Sequence, residues 1–158
     1  MIIRKIQKID NKKLAEIIKN VFLEHDCAKS GTVYTDPTTN HLFELFQEKH
    51  TELYVAEEDG QVLGCCGIYP TVGLPGKCTE LVKFYLAHNA RGKGVGKKLM
   101  QQCEKAAKNM GYNQIYIESL PEFSRAVGMY EKSGYKHLNE RMGESGHFGC
   151  DIWMIKEI

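Results

Sequence analysis

Three alternating glycines separate a strand-like apolar segment from a helix-like segment, and this run constrains the fold more than any other feature. The run reads Arg91-Gly92-Lys93-Gly94-Val95-Gly96. Glycine adopts backbone angles that are closed to other residues, so the chain can turn sharply here and a ligand can approach the backbone closely. A helix that begins here presents unpaired N–H groups and the positive end of its dipole. The run therefore predicts a strand-turn-helix unit with an anion site. Four basic residues add positive charge around it: Arg91, Lys93, Lys97 and Lys98.

Two widespread phosphate-binding patterns do not fit this turn. The P-loop needs Ser or Thr after its Gly-Lys pair, but Gly96-Lys97 is followed by Lys98. The dinucleotide pattern G-x-G-x-x-G needs its third glycine where this chain has Lys97 or Leu99. From the glycines alone, a purely structural turn stays open beside a phosphate or pyrophosphate site.

Hydrophobic periodicity on both sides of the turn predicts an α/β protein with a mixed sheet. Helical spacing predicts helices near residues 14–22, 42–46, 95–110 and 123–132. Strand-like runs occur at 2–9, 52–56, 62–69, 78–87 and 114–118, with a closing hairpin within 135–155. The predicted order is β-α-α-β-β-β-α-β-α-β-β, with Asp10 as the N-cap of the first helix. Because the 78–87 run is apolar on both faces, we expect it to be a central strand.

The size and charge of the chain exclude several classes of protein. Its 158 residues suffice for one globular domain, which we expect to span residues 1–158, and are few for two. Lys and Arg number 21 against 20 Asp and Glu, so a surface built for nucleic acid is not expected. No apolar run approaches the roughly 20 residues that cross a bilayer, so no membrane-spanning segment is expected.

The cysteines indicate a reducing compartment. Six are present, at positions 27, 65, 66, 78, 103 and 150, and none forms a CxxC pair. Since residues 1–10 alternate charges with aliphatic side chains, unlike a secretory segment, we expect reduced thiols in a cytoplasmic protein. Neither His25 with Cys27 nor Cys65 with Cys66 has a second ligand pair at zinc spacing, so we expect no metal.

The glycine run matches the [QR]-x-x-G-x-[GA] motif of the GNAT superfamily of N-acetyltransferases. The segments Thr79–Leu86 and Ala126–Tyr135 also resemble that family's flanking motifs in order and spacing, so the resemblance covers most of the chain. It implies the acyl-CoA N-acyltransferase fold, with a central, mixed, mostly antiparallel sheet. It also implies an enzyme that transfers the acetyl group of acetyl-CoA to a primary amine of a small molecule or peptide, and homodimers are frequent in the family.

The resemblance further implies which residues hold acetyl-CoA. The turn would bind the pyrophosphate through Arg91, Gly92, Lys93, Gly94, Val95, Gly96 and Lys97. The backbone of Phe84, Tyr85 and Leu86 would pair with the pantetheine arm and polarise the thioester carbonyl. Many relatives carry an asparagine where this chain has Phe123. Ser124 is the candidate to replace that contact.

Glu80 and Tyr130 are the candidate catalytic residues. An alkylammonium has a pKa of roughly 10, so only about one molecule in a thousand is nucleophilic at pH 7 and a base is needed. Glu80 lies where family members place a glutamate base, acting directly or through water; pairing with a lysine or holding the substrate ammonium are the alternatives. Tyr130 lies where the family places the acid that protonates the departing thiolate. Without the resemblance, Tyr130 is typical of a core aromatic.

Other functions stay open at this point. A non-catalytic acyl-CoA-binding regulatory module could use the same turn, although the presence of both Glu80 and Tyr130 favours an enzyme. Cys150 with His147 could form a thiol acyl carrier, but nothing in the sequence marks either residue as reactive. His147 is interpreted as a polar loop residue, with an acceptor-binding group or a second base as the alternatives. The acceptor amine would meet the variable loops at residues 28–39 and 139–149, which contain no dense acidic cluster.

Overall fold

All strands of the protein belong to one sheet with helices on both faces. The computed structural model describes residues 1–158. Its strands are β1 (Ile2–Lys5), β2 (Glu52–Glu58), β3 (Gln61–Tyr69), β4 (Cys78–Leu86), β5 (Gln114–Ser119), β6 (Lys136–His137) and β7 (Ile152–Glu157). Its helices are α1 (Asn11–Glu24), α2 (Leu42–Leu45), α3 (Val95–Asn109) and α4 (Ser124–Lys132). This order confirms the predicted succession of elements and the predicted fold class.

The sheet is mixed, with a single parallel contact. The strands lie in the order β1-β2-β3-β4-β5-β7-β6, and only β4 and β5 run parallel. Parallel neighbours need a long crossover connection, which α3 provides between these two strands. The glycine turn lies in this crossover, between the end of β4 and the start of α3.

Side chains alternate across the sheet and supply two separate cores. In β2, Tyr54 and Ala56 pack with residues of α3 and α4 on one face, which we call the α3 face. Leu53 and Val55 pack with residues of α1 and α2 on the opposite, α1 face. Because both faces are covered, the central strands are apolar on both sides, as the 78–87 run predicted.

Asp10 occupies the N-cap position of α1, as predicted, but its side chain does not cap the helix. Its side chain makes no hydrogen bond to the first turn of the helix. Instead it accepts hydrogen bonds from the Arg4 guanidinium at 2.7 and 2.9 Å and from the Gln7 amide at 2.8 Å. Burial opposes ionisation, but these donors together hold the pKa of Asp10 below its usual value. The carboxylate thus ties β1 to the start of α1.

The protein has no disulfide, and no helix of it could cross a membrane. All six cysteines are free and buried, where they fill the core as small apolar side chains. The longest helix, α3, has 15 residues, and none of the helices has the length and apolar character to cross a bilayer.

Removing the Asp10 carboxylate should destabilise the fold. In Asp10→Ala the Arg4 guanidinium and the Gln7 amide lose a buried partner, which should lower the free energy of unfolding by about 3 kcal/mol in urea denaturation. Lys13→Ala is the control, because Lys13 pairs with Glu16 on the exposed surface of α1 and should change stability by under about 0.5 kcal/mol. Equal effects of the two substitutions would contradict the assigned role of Asp10.

Candidate active site

One extra residue interrupts the regular pairing of β4 with β3. The register passes from Cys65 opposite Tyr85 to Gly67 opposite Val82, so two residues of β4 face one residue of β3. Lys83 lies in this bulge with a φ of 52°, in the left-handed region that side-chained residues rarely adopt. A bulge bends its strand and redirects its side chains. Val82 and the Lys83 side chain consequently both lie on the α1 face.

On its other side, β4 separates from β5. The parallel pairing ends at Leu81 opposite Ile117, although β4 continues to Leu86 and β5 to Ser119. The backbone of β4 beyond Leu81 therefore has no partner in β5. A cleft opens between the two strands. The backbone groups of Phe84, Tyr85 and Leu86 are thus free of β5, as the resemblance implies.

The cleft has a volume of about 450 Å³ and follows β4 from the glycine turn to the loops on the α1 face. Near the turn it is lined by Arg91, Gly92, Gly94, Gly96 and Lys97. Phe84, Tyr85, Leu86 and Tyr130 line its middle part. Glu80, Lys83, Glu118 and His147 line the part near the loops, which we call the acceptor end. One cavity thus unites most of the residues selected from the sequence.

Gly94 and Gly96 are required for different structural reasons. Gly94 precedes α3 with a φ of 77°, and the first helical hydrogen bond runs from the Lys98 amide to its carbonyl at 3.2 Å. A Cβ at Gly94 would meet no protein atom within 4 Å, so the space beside it is open to the cleft. A Cβ at Gly96 would lie 3.3 Å from the side chains of Leu86 and Phe84. Gly96 therefore allows α3 to pack closely on β4.

The Arg91 side chain turns toward the protein. Its guanidinium donates to the Leu86 carbonyl at 3.1 and 3.2 Å and pairs with Glu24 at 2.7 Å. Arg91 thus ties the turn to β4 and to the end of α1. Since its charge already has a partner, the positive charge that faces the cleft near the turn comes from Lys97 and Arg125.

Three predicted cofactor residues lie outside the cleft lining. Val95 is buried in the core of the α3 face. Lys93 is exposed and borders a separate depression beside the β2–β3 turn. Ser124 is exposed at the start of α4 and borders a shallow cavity between α3 and α4, which Lys97 and Arg125 also border.

Glu80 is a buried carboxyl that titrates near neutral pH. Its side chain lines the cleft although the residue is only 3% exposed, and it accepts a hydrogen bond from the Thr71 hydroxyl. Burial raises the pKa of Glu80 to about 8, with a smaller contribution from the charge of Glu118, while the bond from Thr71 opposes this rise. Glu80 can therefore exchange a proton in the range where an enzyme works.

Tyr130 presents a phenol to the same cleft. Its ring packs against Phe84 and Tyr135, with ring centroids 6.1 and 5.9 Å apart. Burial raises the pKa of Tyr130 far above its usual value, so the hydroxyl keeps its proton at any physiological pH. The phenol is thus in the protonated form that a general acid needs, although the raised pKa makes it a weaker acid than a free tyrosine.

At the acceptor end, Asp36 joins two distant loops to β4. Lys83 Nζ and His147 Nε2 both lie 3.0 Å from Asp36 Oδ2. Burial opposes the charge of Asp36, but hydrogen bonds from His147 and Thr38 and the charge of Lys83 hold its pKa well below the usual range. Burial lowers the pKa of Lys83, and the nearby Asp36 carboxylate opposes this shift.

Glu118 and Arg141 hold the loop before β7. Glu118 accepts hydrogen bonds from the hydroxyls of Tyr116 at 3.1 Å and Ser145 at 2.9 Å. One Arg141 nitrogen donates to the carbonyls of His147 and Cys150 at 3.2 and 3.3 Å. These contacts place the loop against the cleft.

The chemistry of Cys150 does not favour a thiol acyl carrier. Burial raises the pKa of its thiol to about 12, with the charges of Glu118 and Glu80 adding to the effect. The reactive form of a cysteine is the thiolate, which is scarce at this pKa.

No group of three or more His, Cys, Asp or Glu side chains is placed to hold a metal ion.

Aromatic side chains form a wall beside the cleft, and sequence reasoning did not identify it. Phe123 packs against Phe22, His25 and Tyr85, with ring centroids 5.2, 5.3 and 6.3 Å apart. All four side chains line the cleft. The Phe123 side chain thus packs on α1 and β4 and gives the cleft an apolar surface at this position.

Sequence reasoning did not single out Lys83 or Glu118 and did not connect Asp36 with His147. A lysine within an otherwise apolar central strand was the available signal for Lys83. Asp36 and His147 are 111 residues apart, and no local pattern connects them.

Comparison with known proteins identifies the family. Residues 18–135 match the model of the Acetyltransferase (GNAT) family. The chain is 30% identical over 158 residues to YjgM of Escherichia coli (strain K12), named an uncharacterized N-acetyltransferase, covering 99% of this chain and 95% of that protein. The chain therefore belongs to the GNAT acetyltransferase family, as the motif resemblance predicted.

Solved structures show the same fold. A GNAT-family acetyltransferase from Staphylococcus aureus Mu50 superposes with a TM-score of 0.80 at 14% identity, covering 99% of this chain and 98% of that one. The structure of yncA from Salmonella typhimurium, solved with its cofactor acetyl-CoA, has a TM-score of 0.77 at 21% identity and covers 99% and 93%. These likenesses confirm the acyl-CoA N-acyltransferase fold.

The raised pKa of Glu80 should make stability depend on pH. A carboxyl with a pKa of about 4.5 when unfolded and about 8 when folded stabilises the fold below pH 4.5, and this stability is lost as pH rises through 8. Relative to Glu80→Gln, which cannot ionise, the free energy of unfolding of the wild type should fall by about 4 kcal/mol between pH 5 and pH 9 in urea denaturation.

Glu16→Gln is the matched control, because Glu16 is exposed on α1. The control should follow the pH dependence of the wild type. A Glu80→Gln variant with the same pH dependence as the wild type would show that Glu80 is ionised at neutral pH.

Proposed function

We propose that this acetyltransferase binds acetyl-CoA and transfers its acetyl group to a primary amine of a small molecule or peptide by direct attack on the thioester. The observation that carries the proposal is one cleft that joins the glycine turn before α3 to Glu80 and Tyr130. The yncA structure, which shares the fold, contains acetyl-CoA, and this supports the choice of donor.

The turn and β4 supply the groups that the donor needs. The amides of the first turn of α3 have no helical partner, and together with Lys97 they suit a pyrophosphate. The open space beside Gly92 and Gly94 allows phosphate oxygens to approach the backbone. Beyond Leu81, the free backbone groups of β4 suit the amides of the pantetheine arm and the oxyanion that forms at the thioester carbonyl.

Glu80 and Tyr130 supply the two proton transfers. Glu80, directly or through water, accepts the proton of the attacking amine as the new C–N bond forms. When the C–S bond breaks, the electron pair passes to sulfur and the Tyr130 phenol donates its proton to the thiolate. With a pKa of about 8, roughly a tenth of Glu80 is ionised at pH 7, and the ionised form is a stronger base than an exposed glutamate. A non-catalytic acyl-CoA-binding module would require neither residue.

Blocking the turn should weaken donor binding. In Gly94→Val, a β-branched side chain would occupy the open space beside the α3 amides, and we expect the Kd for acetyl-CoA in isothermal titration to rise at least tenfold. Gly111→Val is the matched control, because Gly111 also has a positive φ and open surroundings but lies beyond the far end of α3. Unchanged binding by Gly94→Val would mean that the pyrophosphate lies elsewhere.

The role of Glu80 should be visible in the pH profile. Wild-type kcat/KM, followed by coenzyme A release, should rise steeply with pH up to about 8, where the free Glu80 carboxyl loses its proton, and less steeply above it, where only the amine still titrates. Glu80→Gln should lower kcat/KM by about a hundredfold and leave only the limb that belongs to the amine itself. A profile that is unchanged in the variant would refute the base role and leave the fold assignment intact.

The role of Tyr130 should be visible in kcat. Tyr130→Phe removes the proton donor but keeps the ring packing, so kcat should fall about tenfold or more while the Kd for acetyl-CoA stays constant. Tyr54→Phe is the control, because Tyr54 is buried on the same face but does not line the cleft. Equal kcat values for the two variants would exclude Tyr130 as the acid.

A further inference from the structure

The charged side chains at the acceptor end of the cleft differ in how far protein partners satisfy their hydrogen bonds. We infer that the acceptor is a small molecule that carries a carboxylate close to its primary amine, as an α-amino acid does, with Lys83 as the residue that selects it. This inference rests on the proposed acetyl transfer and adds the chemical class of the acceptor.

Lys83 presents a cation with an unused donor. Its side chain is only 4% exposed, and the residue lines the cleft. The ammonium donates to Asp36 Oδ2 at 3.0 Å and to the Thr38 hydroxyl at 3.2 Å. An ammonium has three N–H groups, so one remains for a ligand. Keeping a lysine in the left-handed conformation of the bulge is unfavourable. Here it places a buried charge at the edge of the cleft, where His147, a lining residue, contacts the same Asp36 oxygen.

Asp36, in contrast, has no capacity left for a substrate ammonium. Its Oδ1 accepts from the Thr38 amide at 2.9 Å and from the Thr38 hydroxyl at 2.6 Å. Its Oδ2 lies 3.0 Å from both Lys83 Nζ and His147 Nε2. A carboxylate accepts about four such bonds, so protein donors saturate it.

The other two carboxyls offer little to a polycation. Glu118 is 2% exposed at its side chain and accepts the hydroxyls of Tyr116 and Ser145. Glu80 accepts the Thr71 hydroxyl and carries a proton for most of the time at pH 7. A polyamine would bring several charges to a site where Asp36 is saturated and Glu118 is buried with Arg141 Nε 3.9 Å away, and desolvating those charges would be costly.

The spacing of Glu80 and Lys83 suits a compact zwitterion. They are three residues apart on β4, both line the cleft, and the bulge brings Lys83 to the α1 face. An extended strand would separate their backbones by about 10 Å, and the side chains span much of that distance. An acceptor amine at Glu80 therefore leaves a carboxylate on the same small molecule within reach of the free N–H of Lys83.

The test compares acceptors that differ only in the carboxylate. Coenzyme A release is measured for the common α-amino acids, each beside its amide and its decarboxylated amine, with spermidine as the polyamine. We expect kcat/KM to be at least tenfold higher for the best amino acid than for its two carboxylate-free analogues. In Lys83→Met this ratio should fall to within about twofold of one. Lys108→Met, an exposed lysine of α3 outside the cleft, should keep the wild-type ratio.

The outcomes separate this inference from the proposed function. Turnover of spermidine or of the carboxylate-free amines at rates equal to or above those of the amino acids would overturn the inference alone. A preference that persists in Lys83→Met would overturn the role of Lys83. Absence of both acetyl-CoA binding and coenzyme A release with every amine would overturn the proposed function itself. If Lys83→Met does not fold, the wild-type ratio still decides the acceptor class, and Lys83→Gln tests the residue.

Discussion

The extra residue in β4 is the constraint on which the active site depends. With the bulge at Lys83, β4 bends away from β5 just where their pairing ends, at Leu81 opposite Ile117. The backbone groups of β4 that would pair with β5 in a regular sheet then face a cleft. The same bend places a lysine on the α1 face, so one backbone irregularity accompanies both the cleft along β4 and the charge at its acceptor end.

Buried electrostatics distinguish the two ends of that cleft. Near α3, positive charge is provided by helix amides and by Lys97, while Arg91 is used to hold the turn against Leu86 and Glu24. At the acceptor end, Asp36 binds Lys83 and His147, and Thr71 supports Glu80. Such networks are costly to bury unless each group is paired. The few donors left unpaired are therefore the natural contacts of a substrate.

Strong local patterns made most of the fold predictable. The period of the apolar residues placed the helices and strands in the right order, although the first strand ends at Lys5 and does not run to residue 9. The glycine run located the turn because glycine readily takes those backbone angles. Prediction failed where a longer-range partner outcompeted a local one. Asp10 has the chemistry of an N-cap, but the Arg4 guanidinium of β1 binds its carboxylate instead. Phe123 became part of an aromatic wall because α1 and β4 meet beside it.

The sequence by itself determined the order of elements, the family and the glycine turn, since these depend on periodicity and on residue types at short spacing. It also singled out Glu80 and Tyr130 through that resemblance. Only the tertiary structure decided that these residues share one cleft, that burial brings the pKa of Glu80 to about 8, and that Asp36 meets His147 across 111 residues. Burial and long-range pairing arise when distant segments pack together, so no local stretch of sequence contains them.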